Sequence, residues 1–206
     1  MKSQIKILKQ EIRGEFLKKR RNLDPDLAKQ WSDRVQTHIL ASEAFEQAGV
    51  LALYAAFDNE VALDRIFQEA SQEGKKVLFP RLRERPGEMD FCPVRDPLSM
   101  RPNRFGILEP REQEEPVSLN EIDFILVPGV AYDYEGFRLG MGRGYYDRIL
   151  AKINPETKSM GIAYSIQLAE SLPSEAKDKR VNLLVTEEGF LHTSGEESSL
   201  SHKGRR

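Results

Sequence analysis

Three observations predict an α/β fold with a mostly parallel sheet. Short apolar runs recur at residues 50–54, 77–79, 124–127, 160–163 and 181–186. Stretches with apolar residues three and four apart lie between several of them, the spacing of a helix with one buried face. Glycine, proline and capping residues punctuate the junctions. Strands that alternate with helices favour parallel pairing in a sheet flanked by helices.

Residues 3–21 read as an amphipathic helix, with Ile5, Leu8, Ile12 and Phe16 forming the apolar stripe. Lys2, Lys6, Lys9, Arg13, Lys18, Lys19, Arg20 and Arg21 fall on the other faces. The plain reading of so much charge is a solvated basic face. Lys9 and Arg13, four apart, point the same way. Asp24-Pro25 starts a second helix, a capping carboxylate followed by proline at the first helical position. It runs to about Ser42 and buries Leu27, Trp31, Val35 and Ile39. A short helical piece, 43–48, ends at Gly49.

Strand 50–54 leads through a loop, 55–61, into a helix over 63–73 that Gly74 closes. Strand 77–79 stops at Pro80-Arg81. A third strand, 88–93, joins it by the Arg85-Pro86-Gly87 turn. Residues 95–116, rich in proline and charge, read as a long ordered loop. The run 124–127 is a buried strand that ends at Pro128-Gly129. A helical pattern opens at Tyr145 and continues from Asp147 to Ile153, where Pro155 breaks it. Residues 1–192 form one domain on this reading, and the Ser/Gly/charge-rich residues 193–206 a disordered tail.

Bulk properties narrow the class. The chain has 206 residues, 39% hydrophobic and 31% charged, as in a globular protein. A net charge of −2 gives no electrostatic case for nucleic acid as the main partner. No apolar run suits a membrane span, and residues 1–13 lack the apolar core of a signal peptide. The single cysteine, Cys92, fits a reducing compartment, so a cytoplasmic location is expected. His38, His192 and His202 are the only histidines. That scarcity argues against a zinc cluster or a histidine-dependent nucleophile. Phosphoryl transfer needs positioned cations and carboxylates rather than histidine.

The chemistry concentrates at 127–150. Glycines at 136, 140, 142 and 144 are interleaved with Arg138 and Arg143 and followed by Tyr145, Tyr146, Asp147 and Arg148. Strand, glycine-rich basic loop and helix start compose an anion site, because bare backbone N–H groups can approach phosphate closely. The spacing alone fits a tight turn equally well. It matches neither the Walker loop nor the dinucleotide fingerprint.

The longer string is more specific. Pro128-Gly129-Val130-Ala131-Tyr132-Asp133, Gly136 and then Arg138-Leu139-Gly140-x-Gly142-x-Gly144-Tyr145-Tyr146-Asp147-Arg148 resembles the signature of the 5-formyltetrahydrofolate cyclo-ligase family. The resemblance spans about residues 9–187 and implies a three-layer α/β/α sandwich. It implies ATP as co-substrate, Mg²⁺, and 5-formyltetrahydrofolate converted to 5,10-methenyltetrahydrofolate with release of ADP and phosphate.

It also implies site residues. Lys9, Arg13, Arg138, Leu139, Gly140, Met141, Gly142, Arg143, Gly144, Tyr145 and Tyr146 are expected around the nucleotide. Ala55, Glu60 and residues 141–145 are expected around the folate, with Arg143 and Tyr145 catalytic. Asp147 and Asp178 are expected to hold the metal. Lys177 stands where the family usually has histidine. Phe105-Gly106-Ile107-Leu108-Glu109-Pro110 and Tyr164-x-x-Gln167 match shorter family elements.

Plain readings stand beside these. Glu60 suits a carboxylate at a helix N-terminus. Leu139 and Tyr146 suit packing, Asp133 and Glu109 suit turn formation, and Arg148 suits a helix surface. A sugar-phosphate isomerase-like enzyme would use the same loop without ATP, and a non-catalytic nucleotide-binding module would bind without turnover. The expected assembly is a monomer or weak homodimer, between which the sequence does not choose.

Overall fold

The computed structural model describes residues 2–176 and 178–191. Lys177 and the expected tail at 193–206 lie outside the described residues. The helices are α1 (Lys2–Arg21), α2 (Pro25–Leu40), α3 (Glu43–Gln47), α4 (Asp64–Gln72) and α5 (Tyr145–Leu150). The strands are β1 (Val50–Ala52), β2 (Lys76–Leu82), β3 (Met89–Pro93), β4 (Arg101–Pro102), β5 (Leu108–Glu109) and β6 (Phe124–Pro128). They continue with β7 (Ala131–Asp133), β8 (Arg138–Leu139), β9 (Lys158–Ile162), β10 (Leu168–Ala169), β11 (Leu183–Thr186) and β12 (Gly189–Leu191).

The main sheet has the order β12-β11-β9-β6-β1-β2-β3. Its five inner strands pair in parallel, and β3 and β12 close the edges antiparallel. The apolar run of β6 is continuous because both faces of the sheet are covered. Phe124 and Leu126 pack with Val35 and Ile39 of α2 and Ile66 of α4. Ile125 and Val127 pack on the opposite face with Ile149 of α5. Each such side chain contributes about 1.5–3 kcal/mol when fully buried. The result is the expected mixed, mostly parallel α/β sandwich.

Chain order reverses between β1 and β6. From β1 the chain builds outward through β2 and β3, then returns to place β6 on the other side. A crevice opens at the carboxyl ends of strands at such a switch point. Here it receives the loop after β1, which carries Ala55 and Glu60, and the segment after β6, which carries the glycines.

Several expectations are corrected. Strand β1 ends at Ala52 rather than at residue 54, although the Leu53 N–H still donates to Leu78 O at 2.8 Å. Strand β2 continues through Pro80 to Leu82, because beyond Leu78 its remaining neighbour is β3 and a proline costs little on such an edge. The loop expected over 95–116 contains a 3₁₀ turn at Pro97–Ser99 and the hairpin β4–β5. The segment after β6 is not a plain loop. It folds as the hairpin β7–β8, to which β10 adds a third strand.

The largest correction concerns α1. Leu8 is 46% exposed, whereas Arg20 is 1% exposed. The inner face carries Lys9, Ile12, Arg13, Phe16 and Arg20, so the basic residues are not all on a solvated face. Phe16 anchors it against Val130, Ala131, Leu139 and Leu172.

Candidate active site

Gly129 explains the sharp end of β6. A Cβ there would lie 2.4 Å from the Tyr132 ring, whose hydroxyl donates to Val127 O at 2.6 Å. Asp133 is buried, accepts from the Glu135 and Phe137 N–H groups with Oδ1 and from Leu172 N–H with Oδ2, and so shapes the turn. Gln167 Nε2 donates to Gly129 O and Val130 O, and its Oε1 accepts from Tyr164 N–H. The Tyr-x-x-Gln pair is therefore a brace that holds the start of the loop.

The glycine loop then turns over the switch point. Gly142 and Gly144 have φ of 88° and 69°, a region that costs other residues strain. At Gly140 a Cβ would lie 2.4 Å from Arg138 Nη1, so a side chain there would displace that guanidinium. Arg13 Nε donates to Gly140 O at 2.8 Å, and its Nη2 lies 3.3 Å from where a Gly142 Cβ would be. Burial lowers the Arg13 pKa from its ordinary value, yet a guanidinium stays charged at neutral pH. Lys9 stands one turn earlier on α1 and donates from Nζ to Asp178 Oδ2 at 2.5 Å and Glu175 Oε2 at 3.3 Å.

Arg138 and Arg143 have different settings. Arg138 is buried beneath the loop, donating to Pro128 O at 3.2 Å and to Asp147 Oδ1 at 3.2 Å. Arg143 is exposed and its guanidinium rests 4.4 Å from the Phe105 ring centroid. Arg104 flanks the same ring at 5.1 Å and donates to the Tyr145 hydroxyl at 3.5 Å. The 103–107 turn thus reaches over the loop, bringing Arg104 and Phe105 to the site. Sequence reasoning did not assign these two residues, and its signal for them was only the weak Phe-Gly-Ile element. Glu109 instead accepts from Leu82 N–H and Asn103 Nδ2, a structural role. Arg148 ties Gly87 O to Arg143 O and Gly144 O, so it is a strut rather than a free surface charge.

The remaining expected residues fall into two groups. Ala55 and Tyr145 are half-buried, and Met141 is 55% exposed. Leu139 is buried with Phe16, so only its backbone can face a ligand. Burial pushes the Tyr146 phenol well above the ordinary range, with the nearby Glu60 charge adding to the shift. Glu60 accepts from Arg20 Nη1 at 3.3 Å and from Phe57 N–H at 3.2 Å. Burial lifts its carboxyl above the ordinary range, with Arg20 and the Phe57 N–H opposing.

The two expected metal residues are engaged separately, Asp147 by Arg138 and Asp178 by Lys9. Among the described residues no group of three or more His, Cys, Asp and Glu is placed to hold a metal. Arg138 Nε and Tyr146 Oη are buried polar atoms with no hydrogen-bond partner among the described residues. Buried donors without partners are costly.

A glycine-rich loop contacted by cations and a half-buried carboxylate, both following strands at the switch point, suit an anion-binding α/β enzyme. A family model described as the 5-formyltetrahydrofolate cyclo-ligase family matches residues 5–187, and the chain belongs to that family. It is 37% identical to the 5-formyltetrahydrofolate cyclo-ligase of Haemophilus influenzae over 175 residues, 82% of this chain and 92% of that protein. The Escherichia coli K12 enzyme of the same name is 30% identical over 171 residues, 82% of this chain and 94% of that protein. The fold superposes on the NMR structure of Aquifex aeolicus 5,10-methenyltetrahydrofolate synthetase with a TM-score of 0.81 and 37% identity. That match covers 95% of this chain and 97% of the other. Among the described residues no helix is long and apolar enough to cross a membrane.

Proposed function

We infer that this chain catalyses the ATP-dependent conversion of 5-formyltetrahydrofolate to 5,10-methenyltetrahydrofolate, releasing ADP and phosphate. The observation that carries the reading is the meeting of α1 cations with the glycine loop, beside the Glu60 pocket. The chemical difficulty is a formamide, whose carbon is a poor electrophile and whose oxygen is a poor leaving group. Transfer of the γ-phosphoryl group to the formyl oxygen cures both defects. The N10 amine then attacks the carbon, loses its proton, and phosphate departs as the ring closes.

The residues divide that work. Backbone N–H groups around Gly140, Gly142 and Gly144 cradle the phosphates, aided by Leu139 through its backbone. Lys9 and Arg13 close over the nucleotide from α1. Arg143, the exposed cation, reaches the transferring phosphoryl group. Arg138 works from beneath, orienting Asp147 and lending positive potential. Met141 and Tyr145 touch both ligands, Tyr146 supplies a neutral hydroxyl, and Ala55 and Glu60 bind the pterin. Such preorganised charge acts by stabilising the transition state rather than the substrates.

Mg²⁺ accompanying ATP needs only one or two carboxylates, taking its other oxygens from phosphate and water. Asp147 beside the loop suits that role. Asp178, paired with Lys9, would be the second carboxylate to hold it. The metal supplies charge neutralisation, and the protein residues supply alignment. The reading places the reaction in the cytoplasm and requires no partner beyond the small-molecule substrates.

The test is an absorbance assay of methenyl product from 5-formyltetrahydrofolate with and without Mg-ATP. Product formed only with ATP is expected. Product independent of ATP, or binding of both compounds without turnover, would overturn the reading.

A further inference from the structure

Glu60 does not stand alone in its pocket wall. The loop that carries it has two residues in the left-handed region, Asp58 at φ 54° and Asn59 at φ 62°. Aspartate and asparagine tolerate that conformation better than other side chains, but two in succession need external support. Helix α1 provides it. Arg20 Nε donates to Asp58 O at 3.0 Å and its Nη2 to Asp58 Oδ2 at 3.4 Å. Asn59 Nδ2 donates back to Arg20 O at 2.8 Å and Leu23 O at 3.3 Å.

The same guanidinium reaches the two walls of the crevice. Arg20 Nη1 donates to Glu60 Oε1 at 3.3 Å and to Gly129 O at 3.4 Å. Gly129 is the first residue after β6, so one buried cation joins the β1 loop to the root of the glycine loop. Glu60 Oε2 accepts from Phe57 N–H, so each carboxylate oxygen has one fixed donor.

We propose that Arg20 is the positioning residue for the folate wall, fixing the Glu60 carboxylate against the root of the glycine loop. The inference rests on the proposed function, because Glu60 matters here as the pterin contact. A purely structural role for Arg20 would not require its fork to engage the Glu60 side chain as well as two main-chain carbonyls. The groups around Glu60 explain why a cation is needed there. Asp58 adds a like charge beside it, and the phenols of Tyr54, Tyr132, Tyr146 and Tyr164, which feel its charge, are neutral at physiological pH. Arg20 is the opposing charge in contact with it, while Arg21 is spent on the outer side of Asp58 at 2.8 Å.

The experiment measures KM for 5-formyltetrahydrofolate and for ATP across pH in three variants, with calorimetric folate binding alongside. Arg20→Gln is expected to raise the folate KM about tenfold and move its acid limb upward by about one pH unit, with the ATP KM within about threefold. Arg20→Lys should restore most of the limb position, since it keeps the charge, but not the full affinity, since it loses the fork. Asp58→Asn keeps a side chain suited to φ 54° and removes the like charge, so the limb should move the opposite way, to lower pH. Should Arg20→Gln fail to fold, Arg20→Lys decides, by a raised folate KM against an unchanged ATP KM. Unmoved limbs and folate KM in folded variants would overturn the assignment. An inactive wild-type protein would instead overturn the proposed function, which the wild-type arm reports separately.

Discussion

Helices α1 and α2 look alike as sequences and differ in what they bury. Both are long, charged and amphipathic. Helix α2 turns Ala28, Ser32, Val35, Gln36 and Ile39 inward and serves the fold. Even its buried polar groups are structural. Gln36 Oε1 accepts from Arg65 and Ile66 N–H, capping α4, whose own N-cap Leu63 offers no side-chain acceptor. Ser32 Oγ pairs with the Tyr164 hydroxyl at 2.9 Å. Helix α1 turns Lys9, Arg13 and Arg20 inward and serves the site, with Phe16 as its main anchor. A helix can therefore be held in place by little apolar area when its charged face meets fixed acceptors: the Gly140 carbonyl, Asp178 and the Asp58–Glu60 loop.

The contrast can be broken or sharpened by substitution. The largest effect is expected at Arg143, the exposed cation of the glycine loop. Arg143→Ala should lower turnover about 10²–10³-fold, as loss of a transition-state donor does, with the melting temperature nearly unchanged because the side chain is exposed. Unaltered steady-state rates would remove Arg143 from the chemistry. Next comes Ile39→Ala in α2, which should cost about 2–5 kcal/mol of stability in urea unfolding while the folded fraction keeps its turnover.

Arg13→Ala is the matching change in α1. It should raise the ATP KM about tenfold, or about 1.4 kcal/mol, with little change in unfolding midpoint. A large loss of stability there would erase the distinction between the helices. Asp24→Ala removes the carboxylate that accepts from Asp26 and Leu27 N–H at the start of α2. It should cost about 1 kcal/mol of stability and leave both KM values alone.

The smallest effect concerns pH. Burial raises the Glu60 carboxyl in the folded protein, so the native state holds that proton more tightly than the unfolded chain does. Its ionisation therefore works against stability as pH rises from the ordinary carboxylate range through the raised folded value. Glu60→Gln should be slightly more stable than wild type at neutral pH and lose that margin in acid, while folate affinity falls. Urea midpoints against pH check the sign, and a margin that grew on acidification would contradict it.

Cys92 offers no comparable lever. It is fully buried in β3, and burial pushes its thiol up to about 11, so it behaves as a core residue.

The amino-acid sequence alone determined the alternation of strands and helices, the capped start of α2, the buried run of β6 and the glycine loop after it. These are local matters: a period of apolar residues, a cap, a proline, a glycine. Membership of the family was legible because 127–150 packs so many constrained positions into one string. Tertiary structure decided which charges are buried. Arg20 falls four residues beyond Phe16 and so continues the inner stripe, but hydrophobic periodicity passes over it because an arginine scores as surface. Its partners, Asp58, Glu60 and Gly129, lie 38, 40 and 109 residues away in the chain. The same holds for Phe105, whose ring centroid lies 4.4 Å from the Arg143 guanidinium, and for the ion pairs of Asp147 with Arg138 and of Asp178 with Lys9. Burial of a charge depends on acceptors that distant segments bring to it, and no local pattern records where those segments will stand.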